Sequence, residues 1–309
     1  MDIHEENNKS TTFRRGTSED SYAVFSLFEQ TLADLSRRLG LGGQTSWDDL
    51  AALARMWDER RSLYEHLART AARFWLAEQD GQPIGFARAI LRDGICQLTE
   101  LFVLPGTQSA GVGRQLLARA FPGEAARRLS IIASPDIRAQ VLYLKAGVFP
   151  RCPIYYFHRA PEKVPIDTNL AFQPVTAAPD VLAAIAEIDR AILDHRRDED
   201  HAWLLGDRQG YLYYRDGRPV GYGYVGKRSG PFALLDADDF PAVLAHAETE
   251  AAAQGHTHFG MEVPMINRPA VDYLLARGFR VDAFVATLMQ DKPFGRFENY
   301  VITSPPFFM

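Results

Sequence analysis

The sequence predicts an α+β protein, a mixed central sheet flanked by helices, and it predicts that architecture twice in one chain. Three observations carry the prediction. Runs with apolar residues at helical spacing alternate with short β-forming runs, and the latter are joined both by tight turns and by crossover segments. Asp80-Gly81-Gln82-Pro83-Ile84-Gly85-Phe86 recurs as Asp216-Gly217-Arg218-Pro219-Val220-Gly221-Tyr222, each copy behind an aromatic-rich run. Further along, Tyr143-Leu144-Lys145-Ala146-Gly147-Val148-Phe149 is echoed by Leu274-Leu275-Ala276-Arg277-Gly278-Phe279. Two landmarks in the same order, at similar separation, point to a duplicated domain.

Residues 1–11 are polar and are expected to form a disordered tail. Thr17-Ser18-Glu19-Asp20 reads as a capping box opening a helix that carries Tyr22, Phe25, Phe28, Leu32, Leu35 and Leu39. Leu41-Gly42-Gly43 ends it, and a second helical pattern runs from Trp47 to Thr70. Strands are expected at 74–79, 83–92 and 95–104, the first two joined through the Asp-Gly turn favoured by hairpins. A helix over 111–120, a strand at Leu129–Ala133 and a helix over Pro135–Ala146 follow, with closing strands near Phe149 and at Ile154–Phe157. The Pro-rich, charged and aperiodic stretch Ala160–Asp167 marks the linker. It divides the chain into a first domain over 12–160, a linker over 161–168 and a second domain over 169–309. The second domain repeats the order, with helices at 179–193, 239–254 and 268–277. Its strands are expected at 210–215, 219–225, 231–235, 258–263, 280–289 and 298–303.

Composition limits the function. A chain of 309 residues suits about two domains, and 47% hydrophobic with 24% charged residues is an ordinary globular mix. Acidic residues number 39 against 34 Lys and Arg, a net charge of -5, which argues against a general nucleic-acid binder. No apolar run approaches the ~20 residues that span a bilayer. The start, Met1-Asp2-Ile3-His4-Glu5-Glu6-Asn7-Asn8, has neither the basic nor the apolar region of a signal peptide, so no membrane association and a cytoplasmic location are expected. Cys96 and Cys152 cannot make a disulfide framework or a four-ligand zinc site, and no metal is expected. Cys96 reads as a small buried apolar residue.

The chemically informative stretch is Leu98-Thr99-Glu100-Leu101-Phe102-Val103-Leu104-Pro105-Gly106-Thr107-Gln108-Ser109-Ala110-Gly111-Val112-Gly113-Arg114-Gln115. A strand ends near Pro105, a small-residue loop follows, and a helix begins near Gly111. Unsatisfied amides at a helix start, with the helix dipole, make an anion site, and Gly111 and Gly113 leave the backbone open to a phosphate. A Walker loop does not fit, because Arg114-Gln115 follows Gly113. A dinucleotide fingerprint does not fit either, because Leu116 stands where its third glycine would be.

This segment resembles motif A of the GCN5-related N-acetyltransferase (GNAT) superfamily, Gln/Arg-x-x-Gly-x-Gly/Ala behind a strand ending hydrophobic-x-Pro. Gln108, Gly111 and Gly113 match it, as does Phe102-Val103-Leu104-Pro105, and Tyr143-Leu144-Lys145-Ala146-Gly147 is similar to the family's downstream motif. The resemblance covers the chain as two tandem acyl-CoA N-acyltransferase domains. It implies that the loop, through Gln108, Ser109, Ala110, Gly111, Val112, Gly113 and Arg114, cradles the pyrophosphate of acetyl-CoA. It implies too that the strand at Phe102, Val103 and Leu104 pairs with pantetheine, that amides near Val103 and Leu104 polarise the thioester carbonyl, and that the Tyr143 hydroxyl protonates the leaving thiolate. Asp136 stands at a coenzyme contact where the family usually has Asn, while Ala139 matches. In the second copy Asn267 and Ala270 match, but Leu274 replaces the tyrosine. The loop position there reads Leu235-Asp236-Ala237-Asp238-Asp239-Phe240, whose carboxylates would repel a pyrophosphate. Only the first copy is therefore expected to bind acetyl-CoA.

The acceptor amine must lose a proton, and Glu100 is the candidate base; a solvated strand residue is its bland alternative. A free terminal carboxylate behind the apolar stretch Pro305–Met309 is the second candidate base. The expected activity is transfer of acetyl from acetyl-CoA to a primary amine of a small-molecule acceptor. The rivals are a non-catalytic acyl-CoA sensor and an aminoacyl- or peptidyl-transferring relative. Gly221-Tyr222-Gly223-Tyr224-Val225-Gly226 has the letters of a dinucleotide fingerprint but sits in a strand pattern and reads as a decoy. His195-Arg196-Arg197-Asp198-Glu199-Asp200-His201 reads as a solvated charged face, and His256 with His258 lacks a third metal ligand.

Overall fold

The computed structural model describes residues 10–41, 49–107, 111–121, 126–226 and 228–309. The chain forms two compact units, one of residues 1–91 and 98–125, the other of 92–97 and 126–309. In chain order the elements are β1 (Thr12–Arg15), α1 (Ser21–Arg38), α2 (Leu50–Thr70), β2 (Ala71–Gln79), β3 (Gln82–Arg92), β4 (Ile95–Val103) and α3 (Val112–Ala120). Then come β5 (Arg128–Ala133), α4 (Ile137–Lys145), β6 (Phe149–Arg159), β7 (Ala171–Pro174), α5 (Pro179–Leu193) and α6 (Asp198–Asp207). The remainder is β8 (Gln209–Arg215), β9 (Arg218–Val225), β10 (Phe232–Leu234), α7 (Phe240–Ala253), β11 (Phe259–Pro264), α8 (Arg268–Ala276), β12 (Arg280–Val281), β13 (Ala286–Gln290) and β14 (Tyr300–Val301). The α+β class, with sheets flanked by helices, is what the structure shows.

In the first unit the strands run in the order β1-β2-β3-β4. The capping box is present at Thr17 and Asp20, where it closes one 3-10 turn that leads into α1. α1 buries Val24, Phe25, Leu27, Phe28 and Leu35, whereas Tyr22 and Leu39 stay exposed at its ends. α2 starts at Asp49, whose side chain accepts from the amides of Ala51 and Ala52. Phe25, Trp57 and Tyr64 pack ring to ring between the two helices.

The second unit holds two sheets, β5-β13-β6-β11 and β14-β10-β9-β8-β7. β13 thus lies antiparallel between β5 and β6, although it comes from the far end of the chain. This differs from the two closing strands expected at 149 and 154–157, which are one continuous strand, β6. The irregularity that Pro150 and Pro153 introduce is absorbed at Arg151, where the register against β13 shifts between Leu288 and Met289. Periodicity also hides β1 and β7, whose residues are mostly exposed and are strands by backbone pairing with β2 and β8.

The internal repeat is exact at the level of backbone geometry. Asp80 and Gly81 take φ 51° and 74°, and Asp216 and Gly217 take φ 50° and 73°, the double positive φ that a two-residue hairpin loop demands. Both hairpins then slip register at the same place, with Glu78 opposite Pro83 and Tyr214 opposite Pro219. Each has a glycine two residues on where the next strand presses close. A Cβ on Gly85 would lie 3.0 Å from the Phe102 carbonyl oxygen, and one on Gly221 would lie 2.7 Å from that of Ala233. Gly221→Ala is therefore expected to cost ~1–3 kcal/mol by overpacking. Urea unfolding should show a lower midpoint at unchanged slope; an unmoved midpoint would refute the close-approach argument.

Candidate functional site

The loop after β4 begins where the Leu104 amide donates to the Ile84 carbonyl at 2.8 Å. The Leu104 carbonyl then accepts from the Thr107 amide at 3.2 Å and from its hydroxyl at 2.9 Å, closing a turn. That first bond corrects one expectation: the Leu104 N–H is engaged by β3 and does not polarise a thioester. Gln108, Ser109 and Ala110 lie outside the described residues. Beyond them Gly111 is the N-cap of α3 with φ 74°, and among the described residues no side chain caps the helix. Around the point where its Cβ would stand, Arg114 Nη2 at 3.7 Å is the nearest neighbour among the described residues. Val112 is buried, Gly113 half-buried and Arg114 exposed. The first amides of α3 thus have a guanidinium beside them and no other described side chain against Gly111, the electrostatics an anion requires. α3 is itself pinned by Arg119, which lies 4.0 Å over the Phe13 ring and 6.0 Å from that of Trp75.

Upstream on β4, Val103 is buried and Phe102 stands edge-on to Phe28 at 4.9 Å. Glu100 is not a solvated strand residue: its side chain and that of Arg88 on β3 are both wholly buried and ion-paired. Arg88 Nε donates to Glu100 Oε2 at 2.6 Å, and Nη1 donates to the Tyr64 carbonyl at 3.1 Å. Burial pushes the Glu100 carboxyl up, with Arg88 opposing. Periodicity passed over Arg88, yet a signal was there. It is the one charge in the apolar run Ile84-Gly85-Phe86-Ala87-Arg88-Ala89-Ile90, and a charge inside such a strand needs a partner.

In the second unit, Asp136 is the N-cap of α4, accepting from the Arg138 amide at 3.0 Å and from its guanidinium Nη2 at 2.6 Å. Its carboxylate is thus engaged by capping and an ion pair. Tyr143 is the buried residue of α4. Burial first, and the Asp136 charge second, raise its hydroxyl above the ordinary tyrosine value, so it holds its proton at neutral pH.

The positions equivalent to these in the C-terminal half are built differently. Asp236 accepts from the Asp238 amide at 3.1 Å, and Asp239 pairs with Arg215. Leu274 is buried where Tyr143 stands in the first copy. The edge of β10, the counterpart of the end of β4, is covered by β14, with Phe232 opposite Val301 and Ala233 opposite Tyr300. The next residue, Ile302, bridges to Glu262 of β11. The fingerprint-like glycines 221 and 223 lie inside β9 as expected of a decoy.

The run 195–201 departs from the solvated face expected of it. His195, Arg197, Asp200 and His201 are all buried, the last two within α6. Arg197 Nε lies 3.0 Å from Asp189 Oδ2, Nη2 donates to the Tyr222 hydroxyl at 2.7 Å, and Nη1 donates to the Met309 carbonyl. His201 bridges Asp189 at 2.8 Å and the Tyr224 hydroxyl at 2.9 Å. Asp200 pairs with Arg92, while Phe307, Phe308 and Met309 are buried. Among the described residues no cluster of three or more His, Cys, Asp or Glu could hold a metal, and no helix is long and apolar enough to cross a membrane.

Residues 70–147 match the family model of the acetyltransferase (GNAT) domain. No curated protein matches the chain. Among solved structures, the chain is similar to a protein of Pyrococcus horikoshii assigned as an acetyltransferase, at 14% identity, TM-score 0.69 and 96% coverage of both chains. It is similar to a GCN5-related N-acetyltransferase from Sphaerobacter thermophilus at 15% identity and TM-score 0.57, covering 93% of this chain and 97% of that one. A tandem GNAT protein from the clavulanic acid biosynthesis pathway aligns at 15% identity and TM-score 0.58, over 92% of this chain and 99% of the other. These likenesses establish a shared fold over both halves.

Proposed function

We propose that the protein, whose residues 70–147 match the acetyltransferase (GNAT) domain model, is an N-acetyltransferase moving acetyl from acetyl-CoA to a primary amine of a small, soluble acceptor by direct attack, in the cytoplasm. The observation that carries this reading is the start of α3 at Gly111, which no described side chain caps or covers and which Arg114 flanks. The coenzyme's thioester supplies the activated acyl group. Gln108, Ser109, Ala110, Gly111, Val112, Gly113 and Arg114 hold its pyrophosphate, Phe102, Val103 and Leu104 line its pantetheine, and Asp136 fixes the start of α4. Glu100 takes the proton from the acceptor's ammonium, and Tyr143 returns one to the departing sulfur. Residues 12–160 form the coenzyme-binding copy, 161–168 the linker and 169–309 a degenerate copy, its strand edge covered by β14.

The experiment is acetyl-CoA-dependent thiol release across amines, amino acids and aminoglycosides, with calorimetry of coenzyme binding. One coenzyme per chain and thiol release with at least one amine are expected. Binding without release from any amine would make the protein an acyl-CoA sensor. Gly111→Val places a β-branched residue at φ 74° and a side chain in the cradle. Coenzyme affinity is expected to fall at least about tenfold, the equivalent of ~1.4 kcal/mol. Unchanged affinity would remove the cradle from the coenzyme site.

A further inference from the structure

The Glu100 carboxylate is solvated by the protein on one oxygen only. Oε2 receives Arg88 Nε at 2.6 Å and an ion contact from Nη2 of the same guanidinium, with the Thr99 hydroxyl oxygen 3.4 Å away. Oε1 is equally buried and has no hydrogen-bond partner. Buried carboxylate oxygens are normally satisfied, and one left bare beside a saturated twin is the arrangement expected where a ligand supplies the missing donor.

Arg88 is held so that it cannot turn to serve both oxygens. Its Nη1 is tied to the Tyr64 carbonyl at 3.1 Å, and its guanidinium lies 5.5 Å from the Tyr64 ring and 5.2 Å from that of Phe74. Thr99 adds a second tether by donating to the Arg88 carbonyl at 3.0 Å. The apolar surroundings are completed by Phe28, Phe86 and Phe102, packed ring against ring.

We infer that Arg88 is a positioning residue: it fixes Glu100 through Oε2 alone and thereby presents Oε1, dry and correctly turned, to an N–H of the acceptor's ammonium. The inference rests on the acetyltransferase reading and on Glu100 as its base. The step balances simply, with one proton passing from ammonium nitrogen to Oε1 before the nitrogen attacks. The charged and titratable groups around the pair are few. Tyr64 and Arg60 come from α2 and Glu29 from α1, and these last two neutralise each other as an ion pair. His66 is the other titratable group buried on α2. Burial drives the Glu100 carboxyl up and Arg88 restrains it, so Arg88 decides where the base begins to work on the pH scale.

The test is the pH profile of kcat/KM in Arg88→Met and Arg88→Lys, alongside Glu100→Gln, with coenzyme affinity and melting temperature measured on each full-length variant. Arg88→Met is expected to move the acid limb at least one pH unit upward, and Arg88→Lys to restore part of that shift. Both should keep coenzyme affinity within twofold, and Glu100→Gln should abolish the limb. A folded Arg88→Met with an unmoved limb, or a folded Glu100→Gln with wild-type activity, would overturn the inference. If Arg88→Met does not fold, Arg88→Lys carries the test, because an ammonium cannot reproduce the two-nitrogen grip on Oε2; an unmoved limb there also overturns it. Wild-type protein that binds no coenzyme would instead remove the acetyltransferase reading.

Discussion

Tyr143→Phe is expected to lower turnover by ~10²–10⁴-fold, the range for loss of a positioned general acid, with coenzyme affinity unchanged. The hydroxyl keeps its proton at neutral pH, the state in which a general acid must enter the reaction. Phe keeps the ring, and with it the packing of the buried residue of α4, so the variant isolates the hydroxyl. Single-turnover and steady-state assays against several amines should agree. Unchanged turnover at unchanged affinity would take Tyr143 out of the chemistry and leave protonation of the thiolate to water.

The largest expected effect on stability comes from Arg197→Met. The guanidinium is buried against Asp189, Tyr222 and the Met309 carbonyl, and its removal leaves the Asp189 charge without its cation. Breaking a buried pair in this way costs ~3–5 kcal/mol, and at ~2–4 °C per kcal/mol for a body of this size the melting point should drop by many degrees. The pH dependence follows from Asp189. Although burial opposes ionisation, Arg197 and then His201 hold its carboxyl well below the ordinary value of 3.8. A depressed folded value means that the stabilisation is fully present above the ordinary carboxylate range and is lost as pH falls through the folded value. In Arg197→Met that loss should begin at higher pH. A variant that melts like the wild type at every pH would show that the network contributes nothing.

Most of the helices, though not α6, together with the hairpins and the repeat, were legible because each rests on local chemistry. The Asp-Gly turns impose their own backbone angles, and Gly111 marks a helix start by the conformation it adopts. What stayed hidden depends on partners far along the chain. The buried charges at 195–201 read as a surface run, because nothing within that stretch announces Asp189 or Tyr222. The pairing of Arg88 with Glu100 was foreshadowed only by an isolated charge in an apolar strand. The engagement of the Leu104 amide is a register effect, and register is not written in composition. The same holds for β13, which shows no sign in its own sequence of sitting between two strands of the earlier half.

That interleaving has a cost in evolutionary freedom. A gene duplication ordinarily yields two bodies that can later be separated, exchanged or lost one at a time. Here the earlier half contains a gap, one ladder wide, that only the later half can close, and pulling the two apart would expose unpaired amides on both flanks. The strands of the two halves thus share one sheet, and neither set completes it alone.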